Sequence, residues 1–283
     1  MFEDRAPIDT RSLFAPERVS LLGVLNQLTP DQWQIPTVCP GWSVHDVALH
    51  LLWGDISNLS RRRDGYAGRR QDDHGERDSI ERLIAFVNNR NEDWIVGARR
   101  MSPAIATSLL SVTGSEFADF VLTVDIQEMG PGIGWTGPDV APVWLDVARE
   151  FTERWVHQQH IRDAVGKPGL KDQQFLKPVL ATFMMALPFA LSKVDLSVET
   201  TADVFITGDS GGFWRVRKSS RSASWTFAEA DETAPNASVL IDQDLAWRLF
   251  TKGLSPPDAV SSVDAKGDER IVEAILNMVT ILA

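Results

Sequence analysis

Two histidines and a glutamate in one stretch, Glu153-Arg154-Trp155-Val156-His157-Gln158-Gln159-His160, carry the clearest chemical signal in this 283-residue chain. On a helix at about 100° per residue, His157 lies about 40° from Glu153 and His160 about −20°, so all three share one face. Glu153 and His157 are about one turn apart, a separation at which two side chains can chelate one ion. Another ligand must then come from another helix. His50, inside the apolar run Val47-Ala48-Leu49-His50-Leu51-Leu52, is the natural candidate. Two histidines and a carboxylate with an open position suit zinc or a similar divalent ion, the open position taking water, a thiol or a substrate oxygen. The spacing also fits a solvated polar face, because these residues lie opposite the stripe Trp144, Val147, Phe151 and Trp155. His50 equally fits a hydrogen-bonded core histidine.

Other features carry less. His45 sits about 140° from His50 on the same helix and cannot share its ion. His74 falls in a charged loop. Gly132-Ile133-Gly134-Trp135-Thr136-Gly137 spells G-x-G-x-x-G, but it follows a helix and runs into Pro138, where a dinucleotide site needs a strand before it and a helix after it. It reads as a long connection that could place Trp135 in a pocket wall. Trp53 and Trp155, within a turn of His50 and His157, could supply the dry wall of a metal or cofactor site. Cys39 precedes a helix N-terminus, yet Pro40, Gly41 and Trp42 intervene, so it reads as a packed small residue. Arg61-Arg62-Arg63 with Arg69-Arg70 reads as a solvated loop whose one functional use would be to attract an anionic substrate.

Those residues must be held by something. Helical periodicity marks residues 10–28, a helix from Val44 through Trp53, one from Ile80 to Ala98, shorter pieces at 103–112 and 115–126, and helices at 142–165 and 172–193. Ser43 and Asp46 form a capping-box pattern at the second of these. Long amphipathic helices with short connections describe a helix bundle. After residue 198 the pattern becomes short strands at 203–207, 212–217, 224–229 and 238–242, then a helix at 243–251, a strand at 262–266 and a helix at 268–282. The expected fold class is therefore α plus α+β. Its expected ranges are 1–170 for the bundle, 171–198 for a connecting helix and 199–283 for a small α+β domain.

Composition narrows the function. With 28 Lys and Arg against 39 Asp and Glu, the net charge of −11 argues against a nucleic-acid partner. One cysteine excludes a disulfide framework and any multi-cysteine metal site, leaving metal binding to five histidines and the carboxylates. The N-terminus lacks a signal-peptide pattern, and by this reading no apolar run approaches the ~18 residues of a membrane helix. The expectation is a cytoplasmic protein without a membrane partner, monomeric or a homodimer.

The segment Val38-Cys39-Pro40-Gly41-Trp42-Ser43-Val44-His45-Asp46-Val47-Ala48-Leu49-His50-Leu51 resembles a motif of the mycothiol-dependent maleylpyruvate isomerase family, within the DinB-like group. The stretch from Trp144 to Gly166 resembles that family's second metal segment. Ala246-Trp247-Arg248-Leu249 and Lys266-Gly267-Asp268 are similar to its C-terminal, sterol-carrier-like domain. The resemblance implies a DinB-like four-helix bundle with His50, Glu153 and His157 as metal ligands, and it gives His160 no ligand role. It implies a basic residue of the C-terminal domain at the site, for which Arg248 and Lys252 are the candidates. It further implies a divalent metal such as zinc, and mycothiol or a similar thiol as cofactor. The function implied is isomerisation of a small-molecule electrophile or thiol transfer to it. The alternative is a metal-containing binding protein without turnover.

Overall fold

The computed structural model describes residues 6–66, 80–137 and 140–280; His74, Arg69, Arg70 and Pro138 lie outside them. The described chain is mixed helix and sheet, in two compact units. One comprises Asp9–Asp125 with Glu150–Leu170, the other Ile126–Arg149 with Lys171–Ile281. The segment 126–149, inside the expected bundle range 1–170, groups with the C-terminal residues.

The first unit is helical. It holds α1 (Phe14–Leu25), α2 (Val44–Asn58), α3 (Ile80–Ala98), α4 (Pro103–Leu122) and the C-terminal part of α5 (Val143–Val165). Leu21, Val24 and Leu25 of α1, Val44, Val47, Ala48, Leu51 and Leu52 of α2, Leu110 of α4 and Ile161 of α5 form its core. The start of α2 is fixed as its sequence indicates. Ser43 Oγ accepts from Asp46 N while Asp46 Oδ2 accepts from Ser43 N, satisfying two backbone donors reciprocally. The helix then runs on through a π-helical turn, Leu59–Arg63, where the sequence reads as loop. Arg63 there pairs with Asp64 and Glu116.

The two short pieces expected at 103–112 and 115–126 are one helix, α4. Gly114 sits in its middle because a side chain there would run into the Arg18 guanidinium, so this glycine makes room and breaks nothing. The helix expected over 10–28 stops at Leu25.

In the second unit β1 (Met129–Gly130) pairs antiparallel with β2 (Ala141–Pro142), and the G-x-G-x-x-G stretch lies between them. The expected helix 172–193 is two helices, α6 (Gln173–Met184) and α7 (Leu187–Ser192), with Pro188 in the first turn of α7, where its missing N–H is tolerated. A five-stranded sheet follows from β3 (Thr201–Thr207), β4 (Gly212–Lys218), β5 (Trp225–Ala228), β6 (Ala237–Asp242) and β7 (Asp264–Gly267). Its order is β5-β4-β3-β6-β7, with β3 and β6 parallel and the other pairs antiparallel. Asp203 and Arg215 face each other across β3 and β4 and form a buried bidentate ion pair. The helices α8 (Gln243–Phe250), α9 (Pro256–Ala259) and α10 (Glu269–Leu276) complete the unit. Trp247 and Phe250 of α8 and Ile271 and Ile275 of α10 are its buried face. The final helix ends at Leu276, short of the expected 282.

Two stretches, Pro103–Leu122 and Gln173–Ser192, are long and apolar enough to cross a membrane by length and composition, which corrects the expectation that none is. Both are core-forming in this fold. α4 buries Ala106, Leu110, Phe117, Ala118 and Val121, and the second stretch is largely buried and interrupted between α6 and α7.

Candidate metal centre

All the ligand candidates lie in the helical unit. On α5, Glu153, His157 and His160 share a face as their spacing requires, but the face is no solvated one: His157 is 4% exposed and His160 7%. On α2, His50 is equally buried. Packing of the two helices brings His50 Nε2 to 3.1 Å from Glu153 Oε1, and His157 Nε2 to 3.1 Å from the same oxygen. The two imidazoles are edge to face, with centroids 4.6 Å apart.

The donors fit a metal. In a tetrahedral zinc site with bonds of about 2.0–2.2 Å to nitrogen and oxygen, neighbouring donors stand about 3.3 Å apart. Both nitrogen–oxygen separations are close to that, and all three ligand atoms lie within 4.8 Å of one another. His50 Nδ1 is buried without a hydrogen-bond partner among the described residues. On its Nδ1 side the imidazole is held by packing, with Trp42 against the ring at 5.0 Å between centroids, while Nε2 bonds Glu153.

Electrostatics follow from the same contacts. Burial pushes the His50 pKa down, further than the Glu153 hydrogen bond lifts it, which favours the neutral imidazole that a metal needs. Burial raises the Glu153 carboxyl, but His157 and His50 together hold it well below its ordinary value. Burial lowers His157, yet the charge of Glu153 and contacts with Glu153 and Cys39 raise it to about 10. Without an ion, Glu153 and His157 therefore form a charged pair.

Cys39, which the sequence reads as a packed small residue, lies against His157 and His160. Its Sγ lies 3.2 Å from His160 Nδ1 and 3.9 Å from His157 Nδ1. A turn puts it there: Trp42 N donates to Cys39 O, Pro40 and Gly41 occupy the middle, and Gly41 has φ of +77°. That is a type II turn, which requires a residue tolerant of positive φ at its third position. The Pro-Gly pair was the available signal. Trp42, which follows it, was likewise missed as the ring beside His50.

The remaining candidates are placed as follows. Trp53 stacks on Trp94, with centroids 5.0 Å apart, and Trp155 is fully buried, its Nε1 donating to Leu170 O. His45 is buried beside Trp33, outside both clusters. Trp135, Arg248 and Lys252 belong to the other unit. Trp135 is buried; Arg248 lies over the Trp247 ring and pairs with Asp244; Lys252 is exposed at positive φ just after α8.

Comparison with known proteins agrees with the residue-level resemblance. Residues 14–162 match the model of the mycothiol maleylpyruvate isomerase N-terminal domain. Two uncharacterized sequences from two strains of Mycobacterium tuberculosis are 27% identical over 153 residues, covering 53% of this chain and 54% of theirs. The chain thus spans about half the length of the curated relatives it matches. The crystal structure of a histidine-to-alanine variant of mycothiol-dependent maleylpyruvate isomerase superposes with a TM-score of 0.53 over 92% of this chain and 93% of that one. At 10% identity the likeness is one of fold. The family match takes in α2 and α5 as far as Arg162, and with them every residue of the His50–Glu153–His157 cluster. The chain belongs to the mycothiol maleylpyruvate isomerase N-terminal domain family.

Proposed function

We propose that the protein is a divalent-metal-dependent enzyme that uses a low-molecular-weight thiol, mycothiol or a relative, on a small electrophile. The observation that carries the reading is the convergence of His50 Nε2, Glu153 Oε1 and His157 Nε2 in a buried site inside the family's matched range. Those three residues would hold the ion, with zinc the best match to two imidazoles and a carboxylate. Such an ion supplies Lewis acidity, favouring the thiolate form of a bound thiol and polarising a carbonyl.

The chain's own residues do the rest. His50 presents a neutral nitrogen, and Trp42 packed on its ring limits water on that side. Glu153 keeps its negative charge, and His157 must release the proton that Glu153 stabilises before it can serve as a ligand. In an isomerisation, thiol addition turns a cis double bond into a single bond, rotation follows, and expulsion of the same thiol leaves the trans product. In a transfer, the thiol stays on the electrophile. Arg248 and Lys252 are the proposed cations for an anionic substrate, and Trp53, Trp135 and Trp155 the proposed cofactor-binding aromatics. The proposal extends to a DinB-like four-helix bundle for the helical unit and a sterol-carrier-like fold for residues 199–283.

Metal analysis of the purified protein should find an ion that His50→Ala or Glu153→Gln weakens at least tenfold. Incubation with mycothiol and maleylpyruvate, or a panel of electrophiles, should show turnover that falls with the ion in both variants. Full occupancy in both variants would sink the ligand assignment. Metal without turnover on any substrate would leave a binding protein.

A further inference from the structure

His157 shows its two ring nitrogens to two different sets of neighbours. Nε2 faces Glu153 and belongs with His50, as described. Nδ1 faces away from them, 3.9 Å from Cys39 Sγ. The same sulfur lies 3.2 Å from His160 Nδ1, and the ligand atoms of Cys39, His157 and His160 all fall within 4.8 Å of one another. Three donors of metal-binding type therefore converge a second time, on the other side of one imidazole.

The spacing is that of ligands. With a zinc–sulfur bond of about 2.3 Å and zinc–nitrogen bonds of about 2.0–2.1 Å, tetrahedral geometry separates sulfur and nitrogen by about 3.5–3.6 Å. The observed 3.2 and 3.9 Å fall on either side of that value, so a shift of a few tenths of an ångström equalises them. The supports are rigid. His157 and His160 are three residues apart on the buried face of α5, and Cys39 is set by the turn that Pro40 and Gly41 make ahead of α2. A thiolate with two imidazoles is also a softer set than two imidazoles with a carboxylate, and it suits zinc or cobalt(II) well.

We propose that Cys39, His157 through Nδ1 and His160 through Nδ1 form a second divalent-metal site, sharing His157 with the first cluster. On binding, the Cys39 thiol gives its proton to solvent. Where both sites fill, His157 gives up its remaining ring proton as well and joins the two ions as an imidazolate. His160, which the family resemblance leaves without a role, and Cys39, which sequence reading treats as packing, are then both ligands. The proposal rests on this donor cluster and is separable from the assignment of the first centre.

Cobalt(II) titration of the reduced, metal-free full chain tests it, read by equilibrium binding and by the near-ultraviolet thiolate-to-cobalt charge-transfer band. Cys39 is the only cysteine, so any such band comes from it. Two equivalents and the band are expected in the wild-type protein. Cys39→Ser should abolish the band and remove one equivalent, and His160→Gln should weaken that equivalent at least tenfold, with circular dichroism unchanged in both. His50→Ala should keep the band while losing the other equivalent. A wild-type spectrum without the band would overturn the proposal. A single equivalent that carries the band and is unaffected by His50→Ala would sink the first centre and leave this one standing.

Discussion

Glu17 lies at the centre of the helical unit with no solvent exposure. Gln158 Nε2 donates to its Oε1 at 2.5 Å, while Oε2 has no hydrogen-bond partner among the described residues. Burial raises its pKa, further than the attraction of Arg18 and the bond from Gln158 lower it. A folded pKa above the unfolded value of about 4.3 means the native state binds the proton more tightly. Stability then falls as pH rises from that value through the folded pKa, the opposite of the usual carboxylate. Glu17→Gln keeps the size and an acceptor oxygen but removes the charge. It should raise stability at pH 8, where the wild-type chain must either charge this buried carboxyl or hold its proton against the solvent. It should also flatten the dependence between pH 5 and pH 8. Urea unfolding midpoints at the two pH values check this, and a variant less stable than wild type at pH 8 would contradict it. Residue by residue, the candidate cluster of His50, Glu153 and His157 was only partly legible in the sequence. Glu153 and His157 share a face by helical arithmetic, but their meeting with His50 is a fact of packing between α2 and α5. Cys39 was less legible still, because its position depends on how a turn aims a side chain, which residue types in a row do not encode directly.

At the scale of elements, α1, α2 and α5 are tied by a buried charge network beside the apolar core. Asp55 accepts from Arg18 at 2.6 Å and from Arg154 at 3.0 Å, and Arg154 also pairs with Glu150 at 2.9 Å. Thr113 of α4 donates its hydroxyl to Asp55 as well. Burial raises the Asp55 pKa, but Arg18 and Arg154 outweigh it and hold the carboxyl below its ordinary value. Its stabilising effect is therefore present above about pH 3.9 and is lost as pH falls through the lower folded value. Removing the charge leaves two guanidiniums without their shared anion. Asp55→Asn should cost about 3–5 kcal/mol, the usual penalty for breaking a buried pair from one side. Chemical denaturation of variant and wild type at pH 7 measures it, and a loss below 1 kcal/mol would show that water or Glu150 compensates. The same network explains an element that sequence patterning divided wrongly. The sequence pattern leaves residues 113–114 between two short helices, whereas Arg18 needs the space at Gly114 to reach Asp55 across a continuous α4. Caps and strands, by contrast, depend on local chemistry. Ser43 with Asp46 and the strands expected at 203–207 and 212–217 were readable directly, the observed strands starting or ending no more than two residues away.

For the whole molecule, the division into compact units does not follow a single cut in the chain. It passes through α5 between Arg149 and Glu150, so that Ile126–Arg149 groups with Lys171–Ile281. Linear patterning could not anticipate this, because one continuous helix supplies side chains to both cores and its periodicity carries no mark at the boundary. The consequence is testable by truncation. Ile126, Ile133, Trp135, Trp144, Leu145, Val147 and Ala148 are all buried, and their own unit is completed by residues beyond 170. A chain ending at residue 170 retains these side chains and discards the rest of that unit. At about 25 cal/mol per Å² of apolar area returned to water, several large residues amount to many kcal/mol, comparable with the whole stability of a domain. Exposed apolar patches of that extent drive association. The fragment 1–170 should therefore bind a hydrophobic dye strongly and elute as aggregates, under conditions where the full chain does neither. A monomeric fragment with a single cooperative unfolding transition would show instead that the 126–149 segment is buried by the helical unit and that the chain divides at 170 after all.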